Sequence, residues 1–582
     1  MRDAANAIEK VLRTHFPYLA VLGLVTILAG LPLFEFKLMR GHDSLPYFLR
    51  SIEFYEGLRF GNLFPRWAAD FAYGFGEPTF NFSPPAFYYL TAFFHVMGFG
   101  FISAENLAAF IILLLSGVGM YLLAGQVFGP RGGLVSAVAY LFSPYMLTSL
   151  YVRHALADFS AFAFIPFAFW GLHRYTLVGG HWWLLVGALS TALLVLSSTS
   201  VALFTFPALL LLLATTLYYG WRDQESSVIP ALARGIGLLL LALGLSAFYW
   251  LPSLAETDFV HLQRRLEGYS DFHNHFLYIH QLVIPQWGYG LSIPGPGDGM
   301  NFAIGPIHLL LLATSLWVSW NTATRLGPVG VLVPFFVSLS VLAGFFAIGT
   351  SVFIWERLYF LQMLQFPWRF LSLIAMSTGF VSGSLFLIFF KEHRWRATGL
   401  MWILVVALVV VGFPHAKPRG FVVIDGSVTP SSIAASGRQD PLRQLEPIWV
   451  SQTPTAPAAE RLTFIEGEGL LLTSKVTPTY YDFVTESTES TRVRVNTFYF
   501  PGWEVSVDGM ERPIDIEKFS GVMEFWLEPG THRIQVQFTD TPVRNVGEWL
   551  SLFSLASILA TPWLINRLRS RGVPFPKTLN RA

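Results

Sequence analysis

Few side chains in this 582-residue chain combine a reactive type with a telling position, and those that do sit at the edges of apolar runs. Gly41-His42-Asp43 follows the first such run and opens a helix-compatible stretch, so its carboxylate falls at a membrane–water boundary. There it can take a proton from the hydroxyl of a lipid-borne substrate, or it can cap the helix behind it. In YVRHALADF, Asp158 follows Arg153 and His154. Ionisable groups near membrane depth are costly and often functional, while an Arg153–Asp158 ion pair closed by a loop is the structural alternative. Glu256 precedes DFHNHFLYIHQLVIPQWGYG, which carries His273, His275 and His280. Their spacing fits no helical zinc motif, so they read as solvated or interfacial side chains. In LQMLQFPWRFLSL, Arg369 stands beside Pro367 and Trp368, shaped either for a lipid phosphate or for an interfacial anchor.

Several chemistries are excluded. The sequence has no Walker motif, no G-x-S-x-G elbow, no H-E-x-x-H and no dinucleotide fingerprint, which removes ATP-driven pumps, serine hydrolases and zinc proteases. With no cysteine, any metal must sit on His, Asp or Glu. A formal net charge of +1 supplies no field for nucleic acid, whose binding depends on phosphate neutralisation.

The elements that position these residues follow from composition. Hydrophobic residues make up 53% and charged residues 13%, about half the charged share of a soluble domain, and the mean hydropathy is +0.51. Apolar runs near the length of about 20 residues needed for a crossing lie at 16–34, 104–127, 132–150, 155–172, 181–197, 199–219, 234–252, 302–320, 328–348, 367–390, 397–413 and 546–566. The expectation is a multi-pass α-helical membrane protein with about twelve crossings. Basic residues before the first run put the N-terminus inside. Arg131, Arg174, Arg222 with Arg234, Arg325, Lys391 with Arg394 and Arg396, and Arg567, Arg569 and Arg571 then all fall on the cytoplasmic side. Pro84 to Gly98, short and opened by two prolines, is placed outside, embedded at the membrane surface.

Three long segments share the outer side: 35–103, 253–301 and 414–545. In the first, Leu45, Phe48, Leu49, Ile52, Tyr55 and Leu58 recur at helical spacing, predicting an amphipathic helix lying on the bilayer. The aromatic, Gly- and Pro-punctuated stretch after it predicts an ordered loop packed on that helix. From Phe421 to Phe538 the pattern alternates, with turn signals at Asp508-Gly509 and Pro529-Gly530. The division is therefore a transmembrane domain over 1–413, an all-β sandwich over 414–545 that carries no catalytic acid, and a final helix with a basic cytoplasmic tail over 546–582.

The runs GHDSLPYFLRSIEFYEGLRFGNLFPRWAADFAYGFGEPTFNFSPPAFYYL, LFSPYMLTSLYVRHALADFSAFAFIPFAFW and LQFPWRFLSL resemble the bacterial membrane proteins labelled 6-pyruvoyl-tetrahydropterin synthase-related. Nothing in the sequence supports pterin chemistry. The ending NTFYFPGWEVSVDGMERPIDIEKFSGVMEFWLEPGTHRIQVQF is similar to the terminal domain of multi-pass proteins that glycosylate cell-envelope polymers. Both resemble the GT-C glycosyltransferases, whose fold implies an acidic catalytic residue in the first outer loop and sugar transfer from a polyprenyl-phosphate donor. The resemblance maps the first-loop acid onto Asp43 and the second-loop acid onto Asp158, which makes these the catalytic candidates, Asp43 as general base and Asp158 orienting the acceptor or holding a divalent cation. His42, Arg153, Glu256, His275 and Arg369 are the accompanying candidates for substrate binding. Where a Ser-His-Asn-like patch is expected after the fifth crossing, this chain has Ser197-Ser198-Thr199-Ser200, so that histidine's role does not transfer.

The expected partners are a polyprenyl-phosphate-linked sugar, an envelope polymer, lipid or protein as acceptor, and the bilayer. Positive charge on the leaving phosphate would come from Arg153, Arg369 or a divalent cation. The competing classes are a lipid or sugar transporter or flippase, in which these acids gate or couple ions, and a non-catalytic envelope scaffold. Transporter charges usually lie at mid-bilayer, whereas these lie at one outer face by the parity of the crossings.

Overall fold

The computed structural model describes residues 2–222, 227–322, 330–387, 394–424, 428–436 and 444–570. Arg325, Lys391, Arg571, the tail beyond it and the end of the VTPSSIAASGRQD loop lie outside them. Among the described residues, six helical segments are long and apolar enough to cross a bilayer: Phe101–Leu141, Leu156–Val178, Thr199–Arg222, Val228–Leu245, Pro367–Leu387 and Trp395–His415. Shorter apolar helices stand at Arg13–Ala29, Ala86–Val96, His181–Ser197, Pro306–Trp320 and Leu332–Ala347. This is a multi-pass membrane protein; helix length alone supports fewer crossings than the expected twelve.

Phe101–Leu141 is two helices rather than one. Gly129 has φ 74° and ψ 175°, and Pro130 follows it. A Cβ on Gly133 would lie 2.8 Å from the Tyr121 carbonyl oxygen, and one on Gly117 would lie 3.1 Å from Leu141. The chain therefore doubles back at Gly129, which glycine permits because it has no Cβ to clash at positive φ. The second arm ends at Leu141 and gives way to short helical turns at Pro144–Leu147 and Thr148–Arg153. The Ala86–Val96 helix has 11 residues, roughly 16 Å at the usual rise and too short to span.

The first loop departs from expectation. Helix Ser44–Arg59 buries Tyr47, Phe48, Leu49, Ile52 and Phe54, but also Ser51 and Glu53, on more than one face. It is enclosed by the Ala86–Val96 helix and the residues that follow it, with Phe54 edge-on to Phe80 at 5.1 Å. A helix lying on the bilayer keeps a polar face in water; this one has been covered.

The all-β unit is a two-sheet antiparallel sandwich. One sheet runs Leu462–Glu466, Thr491–Phe498, Val522–Leu527, Asp515–Ile516; the other runs Gly469–Val476, Tyr480–Ser487, Gly530–Phe538, Trp503–Val507, Met510–Arg512. Val507 pairs with Met510 across Asp508 (φ 52°) and Gly509 (φ 81°), the two-residue turn that the Asp-Gly signal predicts. The strand at Phe421–Val422 does not belong to it, because it pairs with Leu38–Met39 instead. Asp508 and Glu504 are tied within the sandwich: Asp508 Oδ2 to His532 Nδ1 at 2.7 Å, and Thr539 Oγ1 donating to Glu504 Oε1 at 3.0 Å.

The sandwich core is completed by the first loop. Trp67, Ala69, Ala72, Phe75 and Phe82 are buried with strand residues Phe498, Trp503, Val505 and Val536. Trp67 meets Trp503 edge-on at 5.5 Å, and Phe75 stacks on Phe498 at 5.4 Å. The sandwich is thus anchored on the loop that holds Asp43.

Candidate active site

Two backbone segments meet to form the site. The His42 N–H donates to the Val152 carbonyl (3.1 Å) and the Asp43 N–H to the Arg153 carbonyl (2.9 Å). Thr148–Arg153 is a π-helical turn and His154 follows with φ 53°, the kinds of backbone feature found at functional sites. A Cβ on Gly41 would sit 2.5 Å from His154 Cβ, so the close approach requires glycine.

Asp43 occupies the N-cap position, but its side chain makes no capping bond. The Ser44 hydroxyl instead accepts from the Gly41 N–H at 2.8 Å. The carboxylate is half-buried, within electrostatic reach of Arg153, His42, Arg50 and Asp158, and burial raises its pKa above the ordinary 3.8. His42 donates from Nε2 to the Tyr289 carbonyl at 3.2 Å, and burial lowers its pKa, favouring the neutral imidazole.

Behind Asp43 lies a buried ionic cluster. Asp158 Oδ2 accepts from Arg153 Nη2 at 3.0 Å and from Arg369 Nε at 3.2 Å, while Oδ1 accepts from Ser198 Oγ at 2.8 Å. Arg369 also donates from Nη1 to Ser200 Oγ at 3.2 Å. The Arg153 guanidinium lies 4.5 Å over the Trp368 ring and that of Arg369 lies 5.1 Å over Phe366, while Phe366 and Trp368 stack on each other at 4.8 Å. Desolvated charges of this kind need both a partner and hydrogen bonds, and this cluster has them. Two guanidinium groups share one carboxylate, leaving excess positive charge beside Asp43.

The structure thus brings Asp43, His42, Arg153, Asp158 and Arg369 together. His275 adjoins through its ring, edge-on to Phe366 at 4.7 Å, but both its nitrogens are engaged, by Ser292 Oγ and the Tyr269 carbonyl. Glu256 is 3% exposed and bonded to Arg544 (2.9 Å), Asn81 (2.8 Å) and Thr541 (2.6 Å), partners outside this cluster.

Three acceptor positions of the Asp158 carboxylate are already taken, two of them by guanidinium groups. Among the described residues no three His, Asp or Glu side chains gather as a metal site, and Asp43 with His42 alone is a thin donor set for a divalent ion. Sequence reasoning did not assign Ser198, Ser200, Tyr145 or Tyr269. The serine patch was visible only as a departure from an expected motif. Tyr145, whose hydroxyl accepts from Arg153 Nη1 at 3.4 Å, had no signal beyond its place in a quoted run.

These features define a multi-pass membrane protein with a buried acid–arginine centre and a β-sandwich anchored on its first loop. A family model described as dolichyl-phosphate-mannose-protein mannosyltransferase matches residues 82–246, which include Arg153, Asp158, Ser198 and Ser200. An uncharacterized protein of Lactococcus lactis subsp. cremoris (strain MG1363) is 24% identical over 259 residues, 44% of this chain and 42% of that protein. A mutant of arabinofuranosyltransferase AftD from mycobacteria is similar over 70% of this chain and 29% of its own, at 17% identity and a TM-score of 0.43. The Archaeoglobus fulgidus oligosaccharyltransferase with a tethered acceptor peptide is similar over 70% of this chain and 56% of its own, at 13% identity and a TM-score of 0.41. The chain spans less than two thirds of each of these proteins.

Proposed function

We propose that this protein is an integral membrane glycosyltransferase that moves a sugar from a polyprenyl-phosphate donor to an acceptor of the bacterial cell envelope, on the outer face of the cytoplasmic membrane. The observation that carries the reading is the Asp43 carboxylate, which has no capping bond and stands half-open beside the buried Arg153–Asp158–Arg369 cluster. Transfer needs a base for the acceptor hydroxyl and positive charge facing the departing phosphate. Asp43 fills the first role, and Arg153 and Arg369 fill the second. Asp158 acts as a positioning residue that holds both guanidinium groups at one spacing. The mannosyltransferase family model over 82–246 supports the same class, and the motif resemblance groups the chain with the 6-pyruvoyl-tetrahydropterin synthase-related membrane proteins.

The direct test incubates purified protein with radiolabelled polyprenyl-phosphate sugars and membrane extracts; label should move to a polymer, lipid or protein in the extract. Label that stays on the donor across the common hexose and pentose donors defeats the reading. Sidedness is checked separately in this cysteine-free chain. Single cysteines in the sandwich should react with an impermeant reagent from outside, and a cysteine at Arg396 should not. Outside labelling at Arg396 overturns the topology.

A further inference from the structure

A cavity with a volume of about 260 Å³ lies between the first loop and the sandwich, lined by Asp70, Tyr73, Ala459, Glu460, Arg461 and Asn496 among others. Its floor is built with care. Ala72, Tyr73 and Gly74 have φ of 53°, 58° and 83° in succession, a left-handed run that side-chain-bearing residues rarely adopt. The run is pinned by the Arg461 guanidinium, which donates to the Gly74 carbonyl, to the Asn496 carbonyl at 2.9 Å and to Thr497 Oγ1 at 3.1 Å. On the other side the Phe498 N–H donates to the Phe75 carbonyl at 2.9 Å.

The polar groups at the wall are chiefly acceptors. Asp70 rests against Glu53, which is 3% exposed; the Asp70 N–H donates to Glu53 Oε2 at 3.2 Å, and Glu53 Oε1 has no partner. Burial raises the pKa of both carboxyl groups. Glu460 adds a third carboxylate, while Arg461 is engaged as a brace. A wall of carboxylate and amide oxygens, with the Arg461 charge set among backbone carbonyls and the ring of Tyr73 alongside, suits a neutral molecule with many hydroxyls better than an anion.

We propose that this cavity binds a neutral carbohydrate, a stretch of the glycan acceptor set back from the reacting end. The assignment of that carbohydrate as acceptor rests on the glycosyltransferase reading. Glu53 and Asp43 are linked by one helix, Ser44–Arg59; ten residues at the helical rise separate them by about 15 Å. A glycan held at the cavity therefore presents a hydroxyl a few sugar units away from its anchored part, near Asp43. Binding energy far from the reacting centre is used to orient the acceptor.

The test uses the full-length protein in detergent on an array of neutral, amino-sugar and uronic-acid oligosaccharides, with three variants. Ala459 is exposed, so Ala459→Trp fills the cavity without touching the sandwich core. Tyr73→Ala removes the ring, and Asp43→Asn reports on the catalytic centre alone. Wild type should bind one or more neutral oligosaccharides and no uronic-acid oligosaccharides. Ala459→Trp and Tyr73→Ala should each weaken that binding at least tenfold, and Asp43→Asn should leave it unchanged. Where transfer is measurable, Ala459→Trp should raise the acceptor KM with little change in kcat. Neutral-glycan binding without transfer would retain the cavity and discard the enzyme. Transfer with an unchanged acceptor KM in Ala459→Trp, uronic-acid oligosaccharides bound in preference, or no glycan bound by wild type would discard the cavity proposal.

Discussion

Asp43 is where two accounts of one side chain part company. As a cap, its carboxylate would accept a backbone N–H, and it does not; as a base, it should be open and its pKa should lie above the ordinary carboxylate value, as burial makes it. Asp43→Asn keeps size and polarity but cannot take a proton, so transfer should fall about 10²-fold or more. The sign for stability is the reverse. A carboxyl whose folded pKa is raised costs stability once ionised; the cost develops as pH rises from the unfolded pKa through the folded one. At neutral pH Asp43→Asn should therefore melt at the same temperature as wild type or higher. A lower melting point with transfer intact would return Asp43 to structure. For the same reason the acidic limb of kcat/KM should lie above 3.8, and Arg153→Gln, which removes the strongest opposing charge, should move it further up. A limb at or below 3.8, or one unmoved in Arg153→Gln, would exclude Asp43 as its source. The charged members of this site were legible because ionisable residues are rare in such a sequence and each one asks for a reason. Ser198 and Ser200 were not, since a hydroxyl in an apolar helix bonds its own backbone as readily as a neighbour's charge.

At the level of elements, the site depends on one crossing of backbones, Gly41 against His154. An alanine at 41 would place its Cβ 2.5 Å from His154 Cβ and 3.0 Å from Ser44 Oγ. Either the 148–154 turn or the start of the Ser44–Arg59 helix must shift. Displacement of Arg153 from Asp43 by about 1 Å is enough to cost on the order of 10²-fold in transfer. Gly100→Ala is the control, because a Cβ there meets nothing within 4 Å and its φ of −61° suits any residue. Equal activity in the two variants would show that the crossing does not set the geometry. The Gly129-Pro130 reversal was readable as a gap between two apolar runs. The burial of Ser44–Arg59 was not, because periodicity reveals one apolar face and is silent about a second cover supplied by distant chain. Glu53, a charge one helical turn beyond Leu49, was the available hint.

Across the whole molecule, one junction joins the first loop, the end of the Ala247–Ala255 helix and the start of the last helix. Arg66, itself 4% exposed, reaches Asp540 at 3.3 Å and Glu548 at 3.1 Å. Glu256 binds Arg544, which is fully buried, and Asn81 and Thr541 complete the contact. Alternation and turns made the sandwich legible. Its attachment was not, because Glu256 and Arg544 are far apart in sequence and each looks like an ordinary charge beside an apolar run. The junction distinguishes a residue of the fold from a residue of the chemistry. Removing one partner of a buried ion pair leaves the other charged and unpaired, at a cost of about 3 to 5 kcal/mol. Glu256→Gln should therefore lower thermal stability markedly and loosen the sandwich to protease, while the surviving folded fraction keeps wild-type kcat and acceptor KM. Glu256→Leu paired with Arg544→Met should recover part of that stability: the desolvation penalty goes with the attraction, but Asn81 and Thr541 lose their acceptor and the Thr539 and Pro501 carbonyls their donor. If Glu256→Gln instead folds normally and loses transfer, Glu256 belongs with Asp43, and the junction is part of the active site.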